Sequence, residues 1–324
     1  MTRAPHPIGL AGLLAGRTRR ARRATVPAAA AREGFRWGWR DQRTRRWWPQ
    51  GIDVRPEPGG DGASGMLAVV SWYLRRDGAE AGTRLTFVRV APGRRPRYAH
   101  VVLVERAADG TLTPISVHAG GVAFAGERVL VADTFQGWRS FRLDDIARLP
   151  GWRRLLGARA VLVQEAAHPG AVDPGADGGR RMRHSFLSVE HAADGDRLVV
   201  GEYRGGTADG RLARLGLAPA RLDAADQRAE WHAPQVPRMQ GACLVDGVWA
   251  ITTSEGVRRP GDLWVGPVDA LVRHRGVLPP GPEDIAHLPG TRMLWSLSEH
   301  PGRRWVYRLD LDDWTTLDDG TATG

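Results

Sequence analysis

The chain has 324 residues, 42% of them hydrophobic and 25% charged, and a formal net charge of +10. It is long enough for one large domain or two ordinary ones, and no apolar run reaches the ~18 residues that a membrane-spanning helix needs. The single cysteine, Cys243, excludes an internal disulfide framework; its apolar setting, Ala242-Cys243-Leu244-Val245, marks a buried, inert thiol rather than a nucleophile.

All 46 basic residues are arginine, a usage that fits a GC-rich bacterial genome. Twelve arginines and only two acids, Glu33 and Asp41, precede residue 49; the 34 later arginines are matched by 34 acids. The whole excess charge therefore lies in the N-terminal segment and the body is neutral. Such a body has no electrostatic footprint for nucleic acid, which is not an expected partner.

Residues 1–32 carry seven arginines, no acid and no aromatic residue. A short apolar run, Ile8 to Gly16, precedes the cluster Arg17 to Arg23, the reverse of the order in a secretory signal. A disordered arginine-rich tail is the expectation. A degenerate export leader and a tether to phosphate or a membrane surface are the alternatives. A cytoplasmic, monomeric protein is favoured over an exported one.

From residue 33 to 318 the chain carries an internal repeat, the signature of an architecture built from similar units. Five segments, Leu67 to Tyr73, Val129 to Thr134, Leu198 to Tyr203, Val248 to Ser254 and Met293 to Glu299, are apolar runs ending in polar residues. That is the composition of a buried strand running out to a surface loop. Glycines at 82, 137, 210, 261 and 302 are expected to open a second strand after each. Before each pair stands a shorter segment, often led by glycine: Gln50-Gly51-Ile52, Ala119 to Val122, His184 to Leu187, Gln240 to Cys243 and Glu283 to Ala286. Glycine suits strands crowded around an axis. A further strand is clear at His100 to Glu105 and Arg159 to Gln164, and expected near 228–232 and 271–277.

Units of four strands with no helix between them predict an all-β protein, a β-propeller of five blades. A six-bladed ring, with a divergent blade in 146–183, is the alternative. Gly34 to Arg40 is the natural supplier of the strand that closes the ring on the last blade. Residues 319–324 are expected to be disordered.

The strand starts Pro49-Gln50-Gly51, Met239-Gln240-Gly241 and Pro282-Glu283-Asp284 give the repeat a resemblance to the broad propeller superfamily of NHL-type, regucalcin-like and strictosidine-synthase-like proteins. Trp47-Trp48-Pro49-Gln50-Gly51 with His118-Ala119-Gly120-Gly121 also resembles a group of actinobacterial proteins, a likeness that implies no activity.

In a propeller the starts of the innermost strands and the loops after the second strands gather at one mouth. The first set here is Gln50, His118, His184, Gln240, Glu283 and Asp284; the second is Trp72, Tyr73, Asp133, Glu202, Tyr203, Glu255 and Glu299. Carboxylates, imidazoles, amides and aromatics around one concavity are the composition of a small-molecule site. His118, His184, Glu283 and Asp133 are the candidate acid–base groups. Gln50, Trp48, Trp72, Tyr73, Glu202, Tyr203, Gln240 and Glu299 are the candidate ligand contacts. The resemblance to regucalcin-like proteins implies a divalent metal near the axis, for which His118, His184, Glu283 and Asp284 are the available ligands; their mixed nitrogen and oxygen atoms suit a transition metal better than calcium. Asp133 and Glu202 also have a purely structural reading as caps of strand ends. Trp138, Trp249, Trp264, Trp295 and Trp305 fall inside strands and read as packing between blades. The expected activity is lyase, isomerase/cyclase or hydrolase chemistry in bacterial specialised metabolism, with a non-catalytic propeller binding a glycan or a protein as the alternative.

Overall fold

Runs such as Met66–Arg76 and Val248–Thr253 are buried on both faces, so they form the middle strands of sheets covered on each side. The computed structural model describes residues 4–57, 65–173, 180–217 and 229–315; the expectation for 319–324 lies outside them. The described residues are all-β, with only three short helices, Gly9–Ala15, Trp39–Arg43 and Asp312–Thr315, and one 3-10 turn.

Four sheets, rather than the expected five, have the size of an ordinary blade. The second joins Val122–Ala125, Arg128–Asp133, Gly137–Arg142 and Ala166–Pro169. The third joins Phe186–Glu190, Arg197–Gly201, Leu212–Gly216 and Glu230–His232, and the fourth Met239–Val245, Val248–Thr253, Pro260–Gly266 and Val272–Pro280. The last joins Pro282–His287, Met293–Ser298 and Val306–Asp310, then Glu33–Arg36 and Arg22–Arg23 from the opposite end of the chain. The first sheet is larger, with nine strands: Trp47–Pro56, Met66–Arg76, Ala79–Val90 and Arg97–Arg106 are extended by five short strands from elsewhere. The innermost strands touch in sequence around a closed ring, Trp47–Pro56 to Val122–Ala125, Phe186–Glu190, Met239–Val245, Pro282–His287 and back. This is a propeller arrangement, closed as expected by Phe35 pairing with Val306.

Several sequence expectations are corrected. Residues 4–32 do not hang free as a tail. His6 pairs with Arg148, Arg19 with Tyr98 and Arg22 with Arg36, while Leu13, Ala21, Val26 and Ala30 are buried. The apolar residues between the arginines are what dock this strap, and an arginine count alone does not reveal them. Ala160–Val163 is not the outer strand of the second sheet; it runs parallel to Arg97–Arg106 in the first, and Ala166–Pro169 takes its place. Apart from a two-stranded ribbon of Val172–Asp173 and Arg180–Arg181, the described part of 146–183 adds to existing sheets, so no sixth blade forms there. Nor does Gly82 open its strand. The chain turns at Asp77 and Gly78, both at positive φ (52° and 85°), the geometry of a tight hairpin.

Glycines let the innermost strands approach the axis. A Cβ on Gly51 would stand 2.6 Å from the Gly121 carbonyl carbon, and one on Gly121 2.0 Å from the Leu187 nitrogen. One on Gly241 would stand 2.5 Å from the Asp284 Cα. These neighbours are backbone and cannot swing aside. Gly121→Ala is therefore expected to cost on the order of 3 kcal/mol or to prevent folding, whereas Gly216→Ala, with open space around it, stays within about 1 kcal/mol. Chemical denaturation of the two variants checks this; equal effects would contradict the close approach.

Candidate functional site

In antiparallel pairs the start of one strand lies beside the end of the next. Trp48 thus pairs with Tyr73, Phe186 with Gly201, Met239 with Thr253 and Pro282 with Ser298. The starts of the innermost strands and the ends of the second strands are thereby brought to the same end of the ring. Three of those starts carry a register shift, between Pro49 and Ile52, between Met239 and Gly241, and between Pro282 and Ile285. A bulge re-aims the side chains it carries, and these bulges hold Gln50, Gln240 and the pair Glu283–Asp284.

The result is a cavity of about 530 Å³ lined by Gln50, Tyr73, His118, Asp133, Tyr203, Gln240, Glu283 and Glu299 of the expected residues. Glu283 is buried. Burial, and then the negative charges of Glu299 and Asp284, push its pKa well above the ordinary 4.5. Glu299 is raised as well, chiefly by burial, although Gln50 Nε2 donates to its Oε2 at 3.1 Å and His118 and Arg304 act against the rise. Two carboxyls held this way oppose each other's ionisation. Arg304, itself fully buried, fixes the backbone here by donating to the carbonyls of Glu299, Asp41 and Trp47 at 2.6–2.8 Å.

His118 stacks on Tyr73 with ring centroids 4.6 Å apart, and its Nδ1 lies 2.7 Å from Glu80 Oε1. With Nδ1–H donated to that carboxylate, the other ring nitrogen is left to accept a proton. Burial raises the Tyr73 phenol, with Glu299 and Glu283 adding to the effect, so it remains a neutral donor. Asp133 lines the cavity but is committed to an ion pair, accepting from Arg139 Nε at 3.0 Å.

Other expected residues are elsewhere. The His184 ring is fully buried, tilted against Trp138 at 5.6 Å and close to Gly170. Burial lowers its pKa to about 4, so it is a neutral packing group, not a base in the cavity. Glu202 is buried beneath Arg211 and Arg204 and accepts from the backbone of Arg183 and Arg211, the strand-capping role. Trp72 is fully buried between the guanidiniums of Arg84 (4.5 Å) and Arg304 (5.5 Å). Trp48 donates to the Arg45 carbonyl at 3.0 Å and does not line the cavity. Glu255 pairs with Arg238 and Arg273. Cys243 is buried, and burial raises its thiol pKa, as befits an inert group.

Asp284 accepts from the backbone N–H of Ile52 (3.2 Å) and Ile285 (3.0 Å), so its carboxyl serves the ring wall. With His184 packed away as well, the four proposed metal ligands do not converge. Among the described residues no group of three or more His, Cys, Asp or Glu side chains is arranged to hold a metal ion.

The cavity also has walls that sequence reasoning missed: Glu80, Ser116, Phe135, Arg183 and Ser185. Glu80 carried a usable signal. Once Asp77-Gly78 is read as a hairpin turn, Arg75 pairs with Glu80 and brings it up beside the Tyr73 end of the neighbouring strand. Phe135 and Arg183, whose guanidinium lies 5.3 Å from the Phe135 ring, had no such signal in the pattern of the strands.

No family model matches the sequence, and no curated protein is similar to it. Among solved structures the chain is similar to a GH43_1 enzyme from Xanthomonas citri, at 13% identity over 82% of this chain and 88% of that one, TM-score 0.44. It is also similar to a GH43 beta-xylosidase/alpha-arabinofuranosidase from a compost microbial metagenome, at 8% identity over 90% and 94%, TM-score 0.47. Glutaminyl cyclase from Myxococcus xanthus matches at 12% identity over 82% and 94%, TM-score 0.40. No residue of the site is assigned from these proteins.

The raised carboxyls make a signed prediction. A carboxyl whose pKa is higher in the folded than in the unfolded chain adds stability at low pH, and that contribution is lost as pH rises past the ordinary 4.5 and through the folded value. Relative to the unaltered protein, Glu283→Gln should therefore gain stability between about pH 5 and about pH 8. Urea unfolding at both pH values measures the difference; a difference independent of pH would contradict the raised pKa.

Proposed function

We propose that the cavity is the active site of an enzyme that transforms a small, polar, uncharged molecule by general acid–base catalysis: a hydrolase, a lyase or an isomerase/cyclase. The observation that carries this reading is the buried Glu283 beside Glu299, in the same cavity as the His118–Glu80 pair. A carboxyl kept protonated near neutral pH is a proton donor. Glu283 supplies the proton to a leaving group or carbonyl oxygen, and Glu299 or His118 removes one from the attacking or departing group. Gln50, Gln240 and Tyr73 orient hydroxyl or amide groups of the substrate. Four acids and only two basic side chains, His118 and Arg183, line the space, which favours an uncharged substrate over an anionic one.

A second reading has its own support. Phe135 is 68% and Tyr203 38% exposed at the rim, and exposed aromatics suit a propeller that binds a glycan or a protein without chemistry.

Thermal-shift screening against neutral glycosides, lactones, amides and polyols, followed by turnover assays on the hits, separates the two. The enzyme reading expects Glu283→Gln to keep ligand binding while turnover falls by about 10²–10⁴-fold. It also expects His118→Ala to lower turnover. A ligand that binds tightly, is never converted and is held equally by both variants would establish the binding reading instead.

A further inference from the structure

The docked strap builds a second cavity, larger than the first at about 690 Å³ and sharing no lining residue with it. Arg17, Arg19 and Arg20 come from the strap and Arg40 from the helix Trp39–Arg43. Across from them stand Arg148, Arg154 and Arg159. The Arg148 guanidinium lies against the strap, where a Cβ on Gly16 would be 2.7 Å from it.

Seven arginines thus face a space whose one acidic lining residue is Asp41, and that acid is already spent. Its Oδ2 accepts from Arg19 at 2.6 Å and from the Tyr98 hydroxyl at 2.8 Å; its Oδ1 accepts from Arg84 at 3.1 Å and lies 3.2 Å from His100 Nε2. Arg154 and Arg159 donate to the Gly157 and Gly151 carbonyls. Among the described residues Arg17, Arg20, Arg40 and Arg148 have no carboxylate partner. Like charges gathered in a concave site without counter-charge raise the local potential and concentrate anions. Arginine's planar fork matches phosphate oxygens in particular.

The same cavity is lined by Trp39, 71% exposed, with Arg43 5.7 Å from its ring. An indole left in water beside unpaired guanidiniums offers a flat surface next to an anion site. The volume is in the ordinary range for a small-molecule pocket. The strap bounds it on one side.

We propose that this cavity binds a small organic polyphosphate carrying a flat ring, a molecule of nucleoside diphosphate chemistry. The strap's arginines then serve as one wall of a binding site, and the excess charge of the sequence has a location. Binding here also ties the strap to the first sheet.

Calorimetric titration of the full chain with ADP, pyrophosphate and adenosine, at low and raised salt, tests the assignment. ADP should bind at one site with an affinity that falls as salt rises, pyrophosphate more weakly, and adenosine not measurably. Arg20→Ala and Arg148→Ala, both at exposed positions, should each weaken ADP binding about tenfold. Trp39→Ala should bring ADP down to the level of pyrophosphate and leave pyrophosphate unchanged. Absence of saturable ADP binding, or affinity indifferent to both arginine substitutions, would overturn the proposal. So would a single-stranded oligonucleotide that displaces ADP and gains affinity with each added nucleotide, since it would reveal a polymer-binding surface.

Discussion

The structure depends on how closely the innermost strands can approach one another at the axis. Glycines at 51, 121 and 241 remove the side chains that would keep them apart. Buried polar groups then stitch neighbouring sheets across the gaps. Asp284 of the last sheet accepts from Ile52 of the first, and Asp53 of the first accepts from Phe124 of the second at 2.6 Å. Hydroxyls do the same elsewhere: Ser71 donates to the Ala119 carbonyl, Ser188 to that of Ala242 and Thr252 to that of Glu283, each at 2.6 Å. Burying a carboxyl is costly unless it is hydrogen-bonded. Burial pushes the Asp53 pKa up to about 7 even though two backbone N–H groups oppose the rise. Adjacent sheets meet through backbone at the axis, leaving side chains to fill the space farther out.

The same constraint shapes the site. Strands pinned this tightly reach the end of the ring through bulges, and the bulged positions divide neighbouring residues between two tasks. Asp284 turns to the ring wall, while Glu283 joins the cavity lining. Gly51 makes the close contact, and Gln50 reaches Glu299. Gln50, Gln240 and Glu283 each directly precede a residue that makes the close contacts of the ring, Gly51, Gly241 and Asp284. Such anchoring suits preorganised acid–base chemistry, in which proton donors and acceptors are held in place before the substrate arrives.

The second strands were legible in the sequence because long apolar runs ending in polar residues state both burial and direction. The closing strand was legible from the unpaired Gly34–Arg40 segment. The same logic located Gln50, Tyr73, Gln240, Glu283 and Glu299, whose place follows from strand polarity alone. It failed where two directions are open. His184 precedes an innermost strand as His118 does, yet its ring turns inward against Trp138; spacing does not encode that choice. The strap was misread because its docking rests on four well-separated small or aliphatic residues, Leu13, Ala21, Val26 and Ala30, a signal far weaker than seven arginines. The parallel addition of Ala160–Val163 to the first sheet is a long-range pairing that no local pattern contains.

Burial and the neighbouring Glu299 and Asp284 carboxylates hold the Glu283 carboxyl well above its ordinary pKa. Carbon-13 NMR titration of the protein labelled at glutamate side-chain carboxyls, with Glu283→Gln to assign the signal, addresses it directly. The expected result is a Glu283 resonance that titrates well above the ordinary glutamate range and moves down, without returning to normal, in Glu299→Gln. A Glu283 signal titrating with the exposed glutamates, and unmoved by the loss of Glu299, would contradict it.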